Sequence, residues 1–288
     1  MVHGSALIDS DELPGYVDEE MPLDVQLTWH DTLELAAALA GLTRVRSRFL
    51  PFGTVPPSLQ GHPPTSDAAG LERTTALARA GLYNFLAVSF AEPPSPGFTD
   101  RLYHSRALVL LTDLGLGGDD LRHWGEDLSL DEQAADLASA YTRLLIRPGP
   151  DSAPPLASEY LGQGTGPLHP LSLGKVAEAV EAAYREAGLV VSGAGLYPPQ
   201  HLAIELQFMH HCVAREAATW GENSSGATEL WRERQLSFLS AHLLPWIDAF
   251  CDRVNALGAH PYYRALAGLT ASFLASDARH VAAERAAA

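Results

Sequence analysis

From residue 71 onwards, apolar residues recur with the period of an α-helix in one segment after another. The first such segment, Leu71–Ala91, places its large apolar side chains close to one stripe: Leu71, Leu77, Leu82, Phe85, Leu86 and Phe90. Alternating apolar and polar β-branched residues are nearly absent. The best β-like run, Leu189-Val190-Val191, is too short to make a sheet. The pattern therefore predicts an all-α fold.

Proline and glycine mark the ends of the further predicted helices. These helices span residues 98–114, 131–145, 172–187, 198–220, 228–257 and 261–275. Asp131 and Ser172 stand where N-caps are expected, and Gly188 stands where a left-handed glycine would end a helix. Pro245 falls inside the longest segment, where it predicts a kink.

The first 70 residues differ in character from the rest of the chain. Residues 1–43 contain nine acidic side chains and no lysine or arginine, and residues 51–70 contain five prolines and three glycines. Within this part, Thr28–Leu42 is compatible with one short helix. The sequence predicts two parts: an acidic N-terminal extension over residues 1–70 and a single helical-bundle domain over residues 71–288.

Charge and cysteine content narrow the function classes. A net charge of −16 argues against a nucleic-acid partner, because phosphate binding depends on lysine and arginine. Cys212 and Cys251, the two cysteines, form no CxxC pair and indicate free thiols in a reducing compartment. Residues 1–20 lack the features of a signal peptide, and no apolar run reaches membrane-spanning length. We expect a cytoplasmic protein without membrane insertion.

Three segments combine aromatic, proline and polar residues in a specific order. The first is Tyr141-Thr142-Arg143-Leu144-Leu145-Ile146, followed by Ala153-Pro154-Pro155, Ser158 and Tyr160; the second is Tyr197–Met209; the third is His242-Leu243-Leu244-Pro245-Trp246. Their order and spacing resemble the TorD/DmsD/NarJ family of redox-enzyme maturation chaperones over about residues 71–276. The second segment is similar to that family's Pro-Asp-His and Glu-Leu-x-Phe-Met signature, but Gln200 stands where the signature has Asp.

The resemblance implies a TorD-like helical bundle and a chaperone that is not an enzyme. Such a protein binds the apo-form of the catalytic subunit of a molybdopterin oxidoreductase of the DMSO reductase type, together with its twin-arginine leader peptide. It assists cofactor insertion and holds back export until the subunit is mature. The resemblance implies no catalytic residue, metal or other cofactor in the chaperone, which would be a monomer or a homodimer.

The second segment also has a physical interpretation of its own. Two prolines fix φ and open a helix on which His201, Glu205 and Met209 share one face. Glu205 is suited to accept a charge-assisted hydrogen bond from an arginine of the leader. Taken together with the family resemblance, the candidate client-binding residues are Tyr141, Pro198, Pro199, Gln200, His201, Glu205, Phe208, Met209, His242, Pro245 and Trp246. In the alternative interpretation, Glu205 and His201 merely stabilise their own helix.

Other interpretations stay open at this level. The kink at Pro245 and the ring of Trp246 would shape a groove wall, or Trp246 would be a core residue. His201, Glu205, His210 and His211 lie close in sequence, which leaves a metal-dependent enzyme as a rival, although they do not form an HExxH motif. The glycine-rich run Gly162–Gly166 lacks the Lys-Ser/Thr and the preceding strand of a phosphate loop and is interpreted as a loop, so the sequence neither supports nor excludes nucleotide binding and a nucleotide-dependent enzyme stays an alternative. A structural subunit that stays with the mature enzyme is the third possibility.

Overall fold

The structure, a computed structural model, describes residues 49–51, 68–104, 107–114, 116, 119–161, 173–191, 197–220 and 225–287. The predicted helix Thr28–Leu42, the predicted N-cap Ser172 and the glycine-rich run Gly162–Gly166 lie outside the described residues.

The all-α prediction is confirmed. The helices are α1 (Ala68–Ala91), α2 (Pro96–His104), α3 (Ala107–Asp113), α4 (Asp119–His123), α5 (Leu130–Tyr141), α6 (Ala157–Leu161), α7 (Leu173–Glu186), α8 (Leu202–Thr219), α9 (Ser225–Phe238), α10 (Leu244–Ala256) and α11 (Pro261–Ala287). Short π-helical turns follow α5 at Thr142–Ile146 and α9 at Leu239–Leu243. Helix α8 packs along α1 and α9, and α11 packs against α9 and α10, so the core lies between these five long helices. Among the described residues, none of the helices has the length and apolarity needed to cross a membrane.

Two predicted helix boundaries in the first half are wrong. The segment predicted as one helix over residues 98–114 contains two, α2 and α3. The N-cap of α5 is Ser129 instead of Asp131, because Ser129 and Glu132 form a capping box. The backbone N–H of Ser129 donates to the Glu132 carboxylate at 2.9 Å, and Asp131 lies in the first turn, where a negative charge favours the helix dipole.

The helix predicted to open at Pro198 begins at Leu202 instead. His201 is its N-cap, with extended backbone, and its Nδ1 accepts from the amide of Ala203 at 3.1 Å. The two prolines lie in the preceding turn, which the amide of His201 closes by donating to the carbonyl of Pro198 at 3.0 Å. A side-chain cap outside the usual Ser, Thr, Asp and Asn set explains why the boundary was misplaced.

The expectation that Leu189–Val191 is too short to make a sheet is wrong. This segment is strand β2, which pairs antiparallel with β1 (Phe49–Pro51) in a two-stranded ladder. Its partner comes from the N-terminal extension, so local sequence near residue 190 carries no sign of it. Gly188 ends α7 with a φ of +76°, in the left-handed region that was predicted for it.

The predicted interruption at Pro245 is present and takes the form of a π-helical turn. Pro245 lies in the first turn of α10, and the amide of Leu244 donates to the carbonyl of Leu239 one residue further back than in an α-helix. Because proline has no N–H to give, the helix widens just before it. The wider turn leaves Trp246 pointing into the core, where 1% of its surface is exposed.

Candidate functional site

The three sequence segments meet at one place in the fold. The amide of Ala157 donates to the carbonyl of Gln200 at 3.1 Å, and the amide of Leu202 donates to the carbonyl of Pro155 at 2.9 Å. These bonds join the end of the first segment to the second. The ring of Tyr160 on α6 then stacks on Trp246 of the third segment, with ring centroids 5.6 Å apart.

Glu205 lies at the centre of this region and is fully buried. Within the described part of the chain, neither of its carboxyl oxygens has a hydrogen-bond partner of normal geometry. Burial raises the pKa of Glu205 well above its usual 4.5, and only the nearby indole N–H of Trp246 acts in the other direction. The side chain is therefore held in its neutral form under conditions in which an exposed glutamate is charged.

On the three contacting segments, four more buried polar atoms also have no hydrogen-bond partner among the described protein atoms: Ser158 Oγ, Tyr160 Oη, Gln200 Oε1 and Trp246 Nε1. We call these four residues and Glu205 the Glu205 cluster. A buried polar atom without a partner costs about 1–3 kcal/mol, so folded proteins contain few of them. Such a concentration, on segments that touch one another, is typical of a place where partners come from outside the chain.

Aromatic rings form a row along the cluster. Phe208 packs on Tyr184 with centroids 4.9 Å apart and on Phe238 with centroids 4.5 Å apart, and Phe238 packs on His242 at 4.8 Å. The hydroxyl of Tyr184 donates to the carbonyl of Pro199 at 2.9 Å, which fixes the turn before α8. Burial lowers the pKa of His242 to about 4, so its ring is neutral near pH 7. The aromatic row therefore brings no charge to the Glu205 cluster near pH 7.

The predicted site residues fall into three groups. Gln200, Glu205 and Trp246 belong to the Glu205 cluster, and Phe208 and His242 belong to the aromatic row. A second group serves the core or the backbone: His201 caps α8, Pro199 accepts from Tyr184, Met209 is fully buried, and Tyr141 donates to the carbonyl of Phe90 at 3.1 Å. Pro198 and Pro245 are exposed.

The first two turns of α8 are buried on all sides, although the sequence predicts that the face with His201, Glu205 and Met209 binds the client. Leu202 to Met209 are all buried, because the helix lies between α1, α9 and the segment before α6. Glu205 is consequently not presented at the surface. Of the alternative in which Glu205 and His201 stabilise their own helix, the part that concerns His201 agrees with the structure, because His201 caps α8. Glu205 does not pair with His201, since neither of its carboxyl oxygens has a hydrogen-bond partner within the described residues.

The site contains residues that were not among the predicted ones. Ser158 and Tyr160 belong to the first segment, and their position after Ala153-Pro154-Pro155 was the available signal. Tyr184 comes from α7, where nothing in the local sequence indicates a contact with Phe208. Tertiary packing alone brings it there.

Histidines and cysteines do not converge on a metal site in the described ranges. No group of three or more His, Cys, Asp or Glu side chains there is placed to hold a metal ion. His210 lies 2.8 Å from the carbonyl of Ala80, and His211 packs against the ring of Trp231. Cys212 and Cys251 are free and buried, and burial raises the pKa of both thiols. The part of the chain that the structure describes therefore offers no metal-ligand set, and its two buried thiols are not reactive thiolates.

Comparisons with known proteins identify the family. A family model described as the nitrate reductase delta subunit matches residues 118–252. The Chaperone protein TorD of a classical Vibrio cholerae O1 strain is 30% identical over 208 residues, which cover 69% of this chain and 90% of the relative. The Chaperone protein TorD of Vibrio atlanticus is 27% identical, over 72% of this chain and 95% of the relative. No solved structure gave a significant match. This chain, which carries the three segments around Glu205, belongs to the TorD family of chaperones and is not an enzyme.

Proposed function

We propose that this protein is a cytoplasmic chaperone for the catalytic subunit of a molybdopterin oxidoreductase of the DMSO reductase type. It binds the apo-form of that subunit and its twin-arginine leader, and it holds back export until the cofactor is in place. The TorD relatives support the chaperone role, and the resemblance of the three segments to the TorD/DmsD/NarJ family supports the client class.

The observation that carries the leader-binding part is the Glu205 cluster. A buried carboxyl group, unpartnered polar atoms and a row of aromatic rings together suit an arginine side chain followed by apolar residues. The guanidinium would supply donors for both oxygens of Glu205, and the apolar residues would pack on rings such as Phe208 and Trp246. Net charge adds long-range attraction, because a chain of −16 draws in a basic segment.

Binding at this cluster requires α6 to move. Glu205 is fully buried, and this helix of five residues packs through the ring of Tyr160 on Trp246, whose indole lies beside the carboxyl group. When α6 moves away, an arginine reaches the carboxyl group, which then loses its proton and forms a charge-assisted bond. The unpartnered atoms lower the cost of opening, since the closed arrangement gives them no hydrogen bonds to lose.

A pull-down of the tagged full chain from its native cytosol tests the client class. We expect the catalytic subunit of a molybdopterin oxidoreductase in a cofactor-free form, with more of it in cells that cannot make the cofactor. Recovery of active holoenzyme alone would instead indicate an assembly subunit that stays with the mature enzyme. Absence of any such subunit under both conditions would contradict the proposal.

A further inference from the structure

A basic and aromatic surface lies where α8 and α9 pack together. The guanidinium carbon of Arg234 is 4.5 Å from the centroid of the Trp231 ring, and that of Arg215 is 5.5 Å away on the same ring. His211 meets the same ring edge-on, with centroids 5.7 Å apart. We call these four residues the Trp231 patch. Both arginines are partly exposed, so they are accessible to a ligand.

The charge of the Trp231 patch contrasts with that of the whole protein. Burial lowers the pKa of His211 to about 4, and the charged neighbours that lower it further, Arg215, His210 and Arg234, are all basic. Arg234 donates to the backbone carbonyl of Glu186 at 3.2 Å, and no ion pair to a carboxylate is seen for Arg215 or Arg234 within the described residues. Two arginines held over an indole ring without a counter-charge suit an acidic partner.

The fold brings the N-terminal extension close to this patch. Glu186, which accepts from Arg234, is the last residue of α7, and β2 begins three positions later at Leu189. In the β1–β2 ladder Pro51 lies opposite Leu189 and Phe49 lies opposite Val191. Pro51 therefore lies about three residues' length, or roughly 10 Å, from Glu186, and β1 fixes the chain there just after its acidic segment.

We propose that the acidic segment, residues 1–43, docks on the Trp231 patch of its own chain. It contains nine acidic side chains and no lysine or arginine, which matches the charge of the patch. The 29 positions from Glu20 to Phe49 are enough to reach the patch, since any flexible chain of that many residues would span about 30 Å on average. Tethering through β1 makes the encounter intramolecular, at an effective concentration of about the millimolar range. This inference is independent of the proposed function.

Distance measurements between spin labels test the docking in the full chain. Labels go on Ser10→Cys and Leu230→Cys; Leu230 is exposed and adjacent to Trp231, and the native thiols are buried. At low salt we expect a short-distance population that disappears near 1 M salt, where charges are screened beyond about 3 Å. The pair Arg215→Gln and Arg234→Gln should lower the ratio of docked to undocked chain about fivefold or more.

Two further variants control for the loss of charge and for misfolding of the arginine variants. The exposed pair Arg143→Gln and Arg147→Gln removes the same charge elsewhere and should leave the short distance unchanged. Replacing Asp18, Glu19 and Glu20 by their amides leaves the patch intact and should lose the short distance, which covers the case in which the arginine variants fold poorly. The proposal would be overturned if the short distance stayed unchanged both in the Arg215 and Arg234 variant and in the variant of the acidic segment. A short distance that fades when unlabelled protein is added would overturn docking within one chain in favour of docking on a second copy.

Discussion

Arg79 donates from Nε to Oδ1 of Asp277 at 2.5 Å, although 198 positions separate the two residues. Its guanidinium also donates to Glu216 at 2.8 Å and to Gln235 at 2.5 Å, so one side chain ties α1 to α8, α9 and α11. Arg232 donates to the other oxygen of Glu216 at 2.9 Å. The two arginines and two carboxylates are buried together, and each charge has partners of opposite sign.

Replacing Arg79 by Met should therefore strongly destabilise the fold. The change removes the cation and leaves Asp277 and part of Glu216 uncompensated in the interior. We expect the free energy of unfolding to fall by about 3–5 kcal/mol, measured by urea denaturation. Arg73→Met on the same helix is the control and should change stability by less than about 1 kcal/mol. A loss of stability for Arg79→Met no larger than that of the control would contradict the role of the network.

Local sequence predicts where the helices of this protein lie better than it predicts which residues they contact. Apolar periodicity identified the stripe around Phe85, yet the same stripe contains Arg79, whose three partners lie on distant helices. Leu71, predicted on the stripe, is 65% exposed because it precedes the part of α1 that other helices cover. Periodicity reports which side of a helix is apolar, but tertiary packing decides what covers it.

In the site, too, the sequence predicts which residues belong together but not how deeply they are buried. The sequence predicted Glu205 and Trp246 as members of one site, and the structure places them side by side. The sequence also predicts a charged glutamate that accepts from an arginine of the leader, whereas in the structure Glu205 is buried and its raised pKa keeps it neutral. Burial depends on α6 and on the turn before α8, and neither boundary can be derived from the residues around Glu205.

The pH dependence of stability tests the state of Glu205. Its pKa is raised in the folded protein, so the unfolded chain loses this proton first as the pH rises above about 4.5. Stability that is fully present below that pH is then lost as the pH rises towards the folded pKa. Glu205→Gln removes this loss. We expect its melting temperature to match the parent near pH 4.5 and to exceed it increasingly at higher pH.

A melting temperature of Glu205→Gln that falls well below the parent at pH 8 would contradict a neutral Glu205. It would show that the carboxylate makes a stabilising contact in the folded protein. Glu178→Gln on α7, where the side chain is exposed, controls for the loss of one negative charge.

The turn before α5 depends on a glycine. Gly125 has a φ of +86°, and a Cβ there would lie 2.9 Å from Nε2 of Gln133, which donates to the carbonyls of Gly125 and Leu128. Gly125→Ala should cost roughly 1–3 kcal/mol, from backbone strain and a displaced Gln133. Gly97→Ala in α2 meets its nearest atom at 3.6 Å and should be neutral or stabilising by up to about 1 kcal/mol. Thermal melting of the two variants compares them directly, and equal losses would show that the turn carries no strain.

Removal of residues 1–65 should leave the bundle folded. In the described residues, β1 joins the bundle through its three-residue ladder with β2, whereas the Arg79 network and the core lie within α1–α11. A chain that starts at Ser66 should keep its helical circular dichroism and a cooperative melt. Aggregation or loss of cooperativity would show that residues 1–65 complete the core.

Calorimetric titration of a synthetic leader tests whether the Glu205 cluster binds a basic segment of the client. The probe is a peptide with an Arg-Arg pair followed by an apolar, helix-forming stretch. Glu205→Gln should bind it about ten- to a hundredfold more weakly, the loss expected for one charge-assisted hydrogen bond of about 1.5–3 kcal/mol. Glu178→Gln should bind like the parent, and a Gln-Gln peptide should bind the parent as weakly as the Arg-Arg peptide binds Glu205→Gln. Equal affinity of the parent and a well-folded Glu205→Gln protein for the Arg-Arg peptide would show that the leader does not bind at Glu205.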